Sequence, residues 1–238
     1  MKEGIIFNKY YIERKEEKNT VINERKGILY VIATPIGNLG DITLRALETL
    51  NKVDFILCED TRHSHKILKD LGKTKNAISY HKFNEKKRLK QILDLLKGGK
   101  DIALISDAGT PGISDPGALL IQAAIKENIS IEVIPGACAV ISALILSGFN
   151  ADAFIFGGYL PKKSKERLSV LAYYKNFKGT IIFFESPHRV LSSLKDISKV
   201  YEKCQICVAR EITKLHQEVL RGRSSELLDI LSRRTIKG

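Results

Sequence analysis

No apolar run in this chain approaches the roughly 20 residues needed to cross a bilayer. Its start, MKEGIIFNKYYIERKEEKN, has neither the apolar core of a signal peptide nor a small-residue cleavage site. A cytoplasmic protein that does not enter a membrane is the expectation. Cysteine is scarce, with residues 58, 138, 204 and 207 too few and too scattered for a disulfide framework. Cys204 and Cys207 form a CxxC, but CQICVARE reads as a strand, on which residues three apart point to opposite faces. No second Cys/His pair follows to complete a zinc site, so core cysteines are expected. Three common signatures are also missing. There is no Gly-Lys-Ser/Thr of a P-loop, no GxGxxG of a dinucleotide fold and no GxSxG elbow of a serine hydrolase.

The chain has 238 residues, 44% apolar and 28% charged, which is the composition of a globular protein able to bury a substantial core. Its net charge is +12 with an isoelectric point near 9.5, which points to a polyanionic partner without separating RNA from DNA. The charge is uneven. Residues 151–238 carry 17 Lys and Arg against 9 Asp and Glu, while residues 1–150 carry 22 against 18, so the second half is the polyanion-facing half.

Residues 1–26 are polar, almost half charged, and read as an extension ahead of the first strand. From Gly27 the pattern alternates. The strand-like segments are ILYVIATP, VDFILCED, AISYH, DIALISD and ISIEVIPG. The helix-like segments are DITLRALETLNK, HSHKILKDLG, EKKRLKQILDLLKGG, ALLIQAAIKEN and ACAVISALILS. Such alternation predicts a mainly parallel sheet covered on both faces, an α/β unit over residues 27–150. FNADAFIFGGYLPKKS breaks the aliphatic rhythm and reads as a junction. A second α/β unit over residues 151–238 follows, with helices at SKERLSVLAYYKNF, PHRVLSSLKDISKVY and SSELLDIL and strands at TIIFFES, CQICVARE and HQEVLRG. Pro187 suits the first turn of its helix.

Small and polar loops follow the strands: TPIGNLGD, EDTRHSH, SDAGTPGISDPG, PGACA, ESPHR and AREITK. In parallel α/β sheets ligands bind at these carboxyl ends, where backbone groups are not used by the sheet. Gly109, Gly112 and Gly117 remove Cβ atoms that would hold a ligand away from the backbone. In EDTRHSH, Glu59 and Asp60 read either as a general base or as helix-capping groups paired with Arg62, itself a phosphate ligand. His63 and His65 are two apart and complete no metal triad, so no metal is expected. KKSKERLS and RGRSSELLDILSRR gather cations, read jointly as phosphate contacts.

Taken in order, ATPIGNLGDIT, CEDTRHS, ISDAGTPGISDPG, VIPGACA, GYLPKKS, FFESPHRV and AREITK resemble the ribosomal RNA small-subunit methyltransferase I family, from about Leu29 onward. The wider relatives are the tetrapyrrole methylases. The resemblance implies two α/β domains of that type with S-adenosylmethionine in the cleft between them. It also implies a homodimer, and methylation of a cytidine ribose 2′-hydroxyl in the decoding region of 16S ribosomal RNA of the small subunit.

Residue by residue, Pro35 resembles a first-loop proline beside the cofactor, and Asp107, Ala108, Gly109, Thr110 and Ile113 match the segment around its methionine end. Pro135, Gly136, Ala137, Cys138 and Ala139 resemble a further wall. Phe184, Glu185, Ala209, Arg210 and Glu211 match strand ends on the adenine side. EDTR, Glu59 to Arg62, resembles a signature at the substrate entrance. The RNA-facing cations are then Arg62, Lys162, Lys163, Lys165, Arg189, Arg221 and Arg223. The family continues past the equivalent of RTIKG with another strand and a helical segment, so an unpaired edge and weaker RNA contact are expected here.

A sulfonium methyl is already activated, so the protein needs mainly to align the ribose oxygen and exclude water. Asp60 is the first candidate for accepting the 2′-proton and Glu59 the second. Two alternatives remain: a catalytically silent RNA-binding protein, and the same fold methylating a small tetrapyrrole-type molecule.

Overall fold

The computed structural model describes residues 26–61 and 76–234. The first half runs β1 (Leu29–Ile32), α1 (Leu44–Lys52), β2 (Phe55–Cys58), β3 (Asn76–Ser79), α2 (Glu85–Lys97), β4 (Ile102–Leu104), α3 (Ala118–Lys126), β5 (Ile131–Ile134) and α4 (Ala139–Ser147). Its five strands form one parallel sheet in the order β3-β2-β4-β1-β5. The extension read over residues 1–26, apart from Lys26, and the helix read at HSHKILKDLG lie outside the described residues.

Strand alternation sorts the core into two layers. Leu29, Val31, Leu57, Ile102 and Leu104 point to one face, where Ile92 and Leu96 of α2 and Leu120 and Ala124 of α3 cover them. Ile32, Ile56, Cys58, Ala103, Ile105 and Ile134 point to the other, covered by Ala46 and Leu50 of α1. The order explains this division. From β1 the chain moves across the sheet toward β2, whereas from β4 it moves the opposite way toward β5, and right-handed crossovers in opposite directions lie on opposite faces. Adjacent strands β1 and β4 therefore send their loops apart. A crevice at their carboxyl ends is the consequence.

The second half runs β6 (Phe154–Tyr159), α5 (Ser164–Tyr173), β7 (Thr180–Phe184), α6 (Val190–Val200), β8 (Gln205–Arg210), β9 (Glu218–Arg223) and α7 (Ser224–Ser232). β6 pairs with β7 in parallel and β8 with β9 antiparallel, as two separate ladders among the described residues. The segment read as a junction also holds a strand that the sequence reading did not include, β6, whose period is broken by a register shift between Phe156 and Tyr159 at the Gly157-Gly158 pair. One reading of the sequence is corrected here. Pro187 lies in the turn before α6, because Arg189 is that helix's N-cap.

A buried ion pair ties the second half together. Arg167, 3% exposed, donates from Nε and Nη2 to Asp196 Oδ2 at 2.9 and 2.6 Å, and from Nη1 to the carbonyls of Pro161 and Lys162. Burial alone would raise the Asp196 carboxyl, but hydrogen bonds from Lys199, Ser164 and Arg167, with the Arg167 charge, bring it down to about 2. Among the described residues, no helix is long and apolar enough to cross a membrane.

Candidate active site

The loops after β1 and β4 close on each other at the crevice. Thr34 and Gly109 form an antiparallel bridge, with Thr34 N–H to Gly109 O at 2.9 Å and Gly109 N–H to Thr34 O at 3.0 Å. The Thr34 hydroxyl also donates to Ser106 O at 3.1 Å. Gly109 adopts φ +81°, and a Cβ there would meet Ile36 Cγ2 at 3.3 Å. The loop after β5 joins them, since Thr110 Oγ1 donates to Ala137 O at 3.4 Å. Burial changes abruptly at each strand end. Ile105, Ser106 and Ile134 are buried, whereas Ala108, Ile113, Pro135 and Gly136 are exposed. An open cradle of backbone groups and small side chains results, and it fits a ligand held chiefly by main-chain contacts.

The second half reaches this cradle at two points. A Cβ on Gly37 would meet Lys214 Cγ at 2.6 Å, Ile212 O at 3.0 Å and Thr213 Oγ1 at 3.0 Å, so the TPIGN and AREITK loops are in contact. Glu211 and Thr213 both hold positive φ, 50° and 68°, in that loop. At the other point, Gly158 of β6 lies 3.9 Å, measured from a built Cβ, from Ser114 Oγ in the β4 loop. Pro35, Asp107 to Thr110, Ile113, Ala137 and Glu211 are thus carried on loops that meet one another.

Acidic groups gather beside it. Asp60 N–H donates to Asp107 Oδ1 at 3.4 Å, joining the β2 and β4 loops. Burial pushes the Glu59 carboxyl up, the nearby charges of Asp107 and Asp115 push it further, and His81 opposes them. Asp115 is likewise raised, by burial first and then by Asp107, against a hydrogen bond from Ser106. Such a carboxyl is more basic than usual and suits proton acceptance. Arg62, His63 and His65 lie outside the described residues. Thr34, Ser106, Asp115 and Gly158 are parts of the site that reading the sequence residue by residue did not single out. Thr34 and Asp115 sit inside quoted loops, but the partner of Thr34 is 72 positions away, and Asp115 acts on Glu59 of a different loop.

The other candidate residues are engaged as follows. Glu185 accepts from Ser186 N–H at 2.7 Å and from Ser193 Oγ, and pairs with Arg189. Arg189 Nη1 donates to Leu160 O at 3.1 Å. Together with Arg167 it fixes three successive carbonyls, Leu160, Pro161 and Lys162, beneath the exposed Lys162, Lys163 and Lys165. Phe184 packs edge-on against Phe156 with centroids 4.8 Å apart. Arg210 pairs with Glu218 at 2.7 Å, and Ala209 lies beside it in β8. Arg221 Nε donates to Ser147 O at 3.0 Å and Nη2 to Leu146 O, so it caps the carboxyl end of α4. Cys138 is the N-cap of α4 and Ala139 its first residue. The Arg223 side chain is exposed. Cys204 and Cys207 are half-buried free thiols, each pushed up by burial.

A parallel sheet whose β1 and β4 loops meet at their carboxyl ends, joined by loops of a following α/β half, is the setting in which the family match falls. The chain belongs to the tetrapyrrole methylase family. The model described as tetrapyrrole (corrin/porphyrin) methylases matches residues 28–228, and the family's members are S-adenosylmethionine-dependent methyltransferases.

Among its relatives, the chain is 48% identical over 202 residues to a ribosomal RNA small subunit methyltransferase I of Thermotoga maritima, covering 85% of this chain and 90% of that one. It is 46% identical over 213 residues to the protein of the same name from Synechocystis sp., covering 89% and 76%. Solved structures share the fold. Cobalt precorrin-4 methyltransferase is 20% identical with a TM-score of 0.63 over 89% of this chain and 91% of its own. Diphthine synthase is 13% identical with a TM-score of 0.66, covering 89% and 86%.

Proposed function

We propose that this chain transfers the methyl group of S-adenosylmethionine to the ribose 2′-hydroxyl of a cytidine in the decoding region of 16S ribosomal RNA, acting in the cytoplasm on the small subunit. The observation that carries the substrate class is the identity of 40–48% to relatives named ribosomal RNA small subunit methyltransferase I. In this reading residues 27–150 and 151–238 are two domains with the cofactor in the cleft between them.

S-adenosylmethionine supplies an activated methyl when bound. The rest is the work of this chain. Pro35, Asp107 to Thr110, Ile113 and the 135–139 loop, with Phe184, Glu185 and the 209–211 segment, would hold the cofactor. Asp60, or Glu59 with its raised affinity for a proton, accepts the hydroxyl proton as the methyl moves. Lys162, Lys163, Lys165 and Arg223 contact phosphates, with Arg62 a further candidate. Arg189 and Arg221 support that surface by holding the Leu160 carbonyl and the end of α4.

A homodimer is part of the proposal. β5 is an edge strand of the described sheet, and Val133 on it and Ile141 and Ile145 on α4 are 54%, 46% and 71% exposed, apolar side chains that a second copy could cover. Calorimetry with S-adenosylmethionine tests the enzyme reading. Binding is expected, whereas its absence with intact RNA affinity would favour a silent RNA-binding protein.

A further inference from the structure

Phe83 is 95% exposed, more than any other large apolar side chain among the described residues. Single exposed apolar residues are ordinary and need no partner. Three further observations set this one apart.

The first is rigidity. Phe83 stands on a turn knotted by its own side chains. His81 N–H donates to Asn84 Oδ1 at 2.8 Å, Asn84 Nδ2 donates to Ser79 O at 3.1 Å, and Phe83 N–H donates to His81 Nδ1 at 3.3 Å. Below it Tyr80 is buried to 1%, with its N–H on Cys58 O at 2.8 Å. A ring displayed on such a turn loses little freedom when something stacks on it.

The second is charge. Lys82, Lys86 and Lys87 lie within four positions of Phe83 in sequence, all exposed and with no acidic partner at ion-pair distance among the described residues. Lys86 and Lys87 also occupy the first turn of α2, the helix end where cations are unfavourable. Asn84, the N-cap, spends its side chain on the turn and makes no cap bond to the helix. Glu85 shares that first turn, so the three lysines leave a net positive setting around an exposed aromatic face, the pattern that single-stranded nucleic acid binders use.

The third is position. β3 pairs with β2 in register, Cys58 opposite Ser79, so the 80–84 turn emerges beside Glu59 and Asp60 at the carboxyl edge of the sheet. His81 acts electrostatically on Glu59.

We propose that Phe83, with Lys82, Lys86 and Lys87, forms a stacking platform for a base of single-stranded RNA flanking the nucleotide that is methylated. Stacking accepts any base, so the platform adds affinity and holds the strand in line with the site without reading sequence. The proposal rests on ribosomal RNA being the substrate.

The test uses the full chain, a short single-stranded oligoribonucleotide and fluorescence anisotropy across a salt series. Phe83→Ala is expected to weaken binding about 5- to 150-fold with an unchanged salt slope, since a stack carries no charge. Lys82→Ala, Lys86→Ala and Lys87→Ala combined should instead reduce the magnitude of that slope by about 2, at roughly 0.7 for each phosphate no longer neutralised. Phe83→Trp should restore affinity. The chain has no tryptophan, so this indole is its only one, and stacking should quench its emission when RNA is added. S-adenosylmethionine affinity should be the same in all of them. Phe83→Ala binding within twofold of the parent, or Phe83→Trp emission indifferent to RNA, overturns the platform. Failure of the parent chain to bind RNA at all would overturn the substrate reading, and the platform with it.

Discussion

Thr34 and Gly109 exchange both of their backbone hydrogen bonds, at 2.9 and 3.0 Å, across loops that leave the sheet toward opposite faces. This bridge turns a gap between two diverging connections into a fixed floor. Its members have different demands: Thr34 adds a hydroxyl bond to the buried Ser106 carbonyl, and Gly109 supplies φ +81°.

Removing only the hydroxyl isolates the first demand. Thr34→Val keeps the shape but leaves the Ser106 carbonyl without that donor. A loss of about 1–2 kcal/mol is expected in urea unfolding, together with several-fold weaker S-adenosylmethionine binding by calorimetry. Unchanged affinity would detach the bridge from the cofactor site.

The second demand has a matched control. Gly109 and Gly148 both hold positive φ, 81° and 69°, but a Cβ on Gly148 meets nothing within 4 Å and the residue caps the far end of α4. Alanine at either should lower stability by roughly 1–2 kcal/mol through backbone strain. Only Gly109→Ala should also weaken the cofactor. Equal effects on binding would mean that strain, not proximity, explains the loss.

Gly37→Ala probes the meeting of the two halves. Lys214 can swing away, but the Ile212 carbonyl, 3.0 Å from the new methyl, belongs to the backbone and must shift. The expected outcome is weaker cofactor binding with a melting temperature within a few degrees of the parent. A loss of stability without a loss of affinity would make this contact purely structural.

For proton acceptance, Asp60→Asn should leave cofactor affinity nearly intact while lowering single-turnover methyl transfer by roughly 10² to 10⁴. Glu59→Gln is the paired variant. If Glu59 is the acceptor, the parent's rate should fall as pH drops through a value above the ordinary Glu range, because burial and the charges of Asp107 and Asp115 raise it. That limb should vanish in Glu59→Gln. A few-fold loss in both would assign the rate to positioning alone.

Asp196 gives a pH dependence of the opposite kind. Its folded carboxyl titrates at about 2, below the ordinary 3.8, so its contribution is present above the unfolded value and is lost as pH falls from near 4 through about 2. The shift corresponds to roughly 2 kcal/mol at neutral pH. Asp196→Asn should therefore be less stable than the parent at pH 7, with the difference narrowing in acid. A constant difference from pH 7 to pH 2 would contradict the pairing with Arg167 and Lys199.

Much of the fold could be read from the chain because β1, β2 and β4 are short apolar runs, buried along nearly their whole length, and central parallel strands look like that. Gly, Pro, Ser and Asp marked the β4 loop. β6 escaped because Gly157 and Gly158 break its period, and both are needed: the Phe183 ring leaves no room for a side chain at Gly157, and Gly158 holds φ +69°. The bridge from Thr34 to Gly109 spans 75 positions, and no local pattern encodes it. Arg189 and Arg221 were expected among the RNA-facing cations. What set them apart was the carbonyls of Leu160 and Ser147 at their guanidiniums, which only the folded chain brings there.

Methyl transfer to a ribose of small-subunit RNA is the activity on which all of these expectations converge. Incubating the chain with labelled S-adenosylmethionine and small subunits or 16S RNA that lack the modification, then mapping the label, tests it most directly. The expected result is label on a single cytidine of the decoding region, in a form resistant to alkaline cleavage because its 2′-oxygen is methylated. Label on a base, or no transfer to RNA while a tetrapyrrole-type acceptor is methylated, would contradict it.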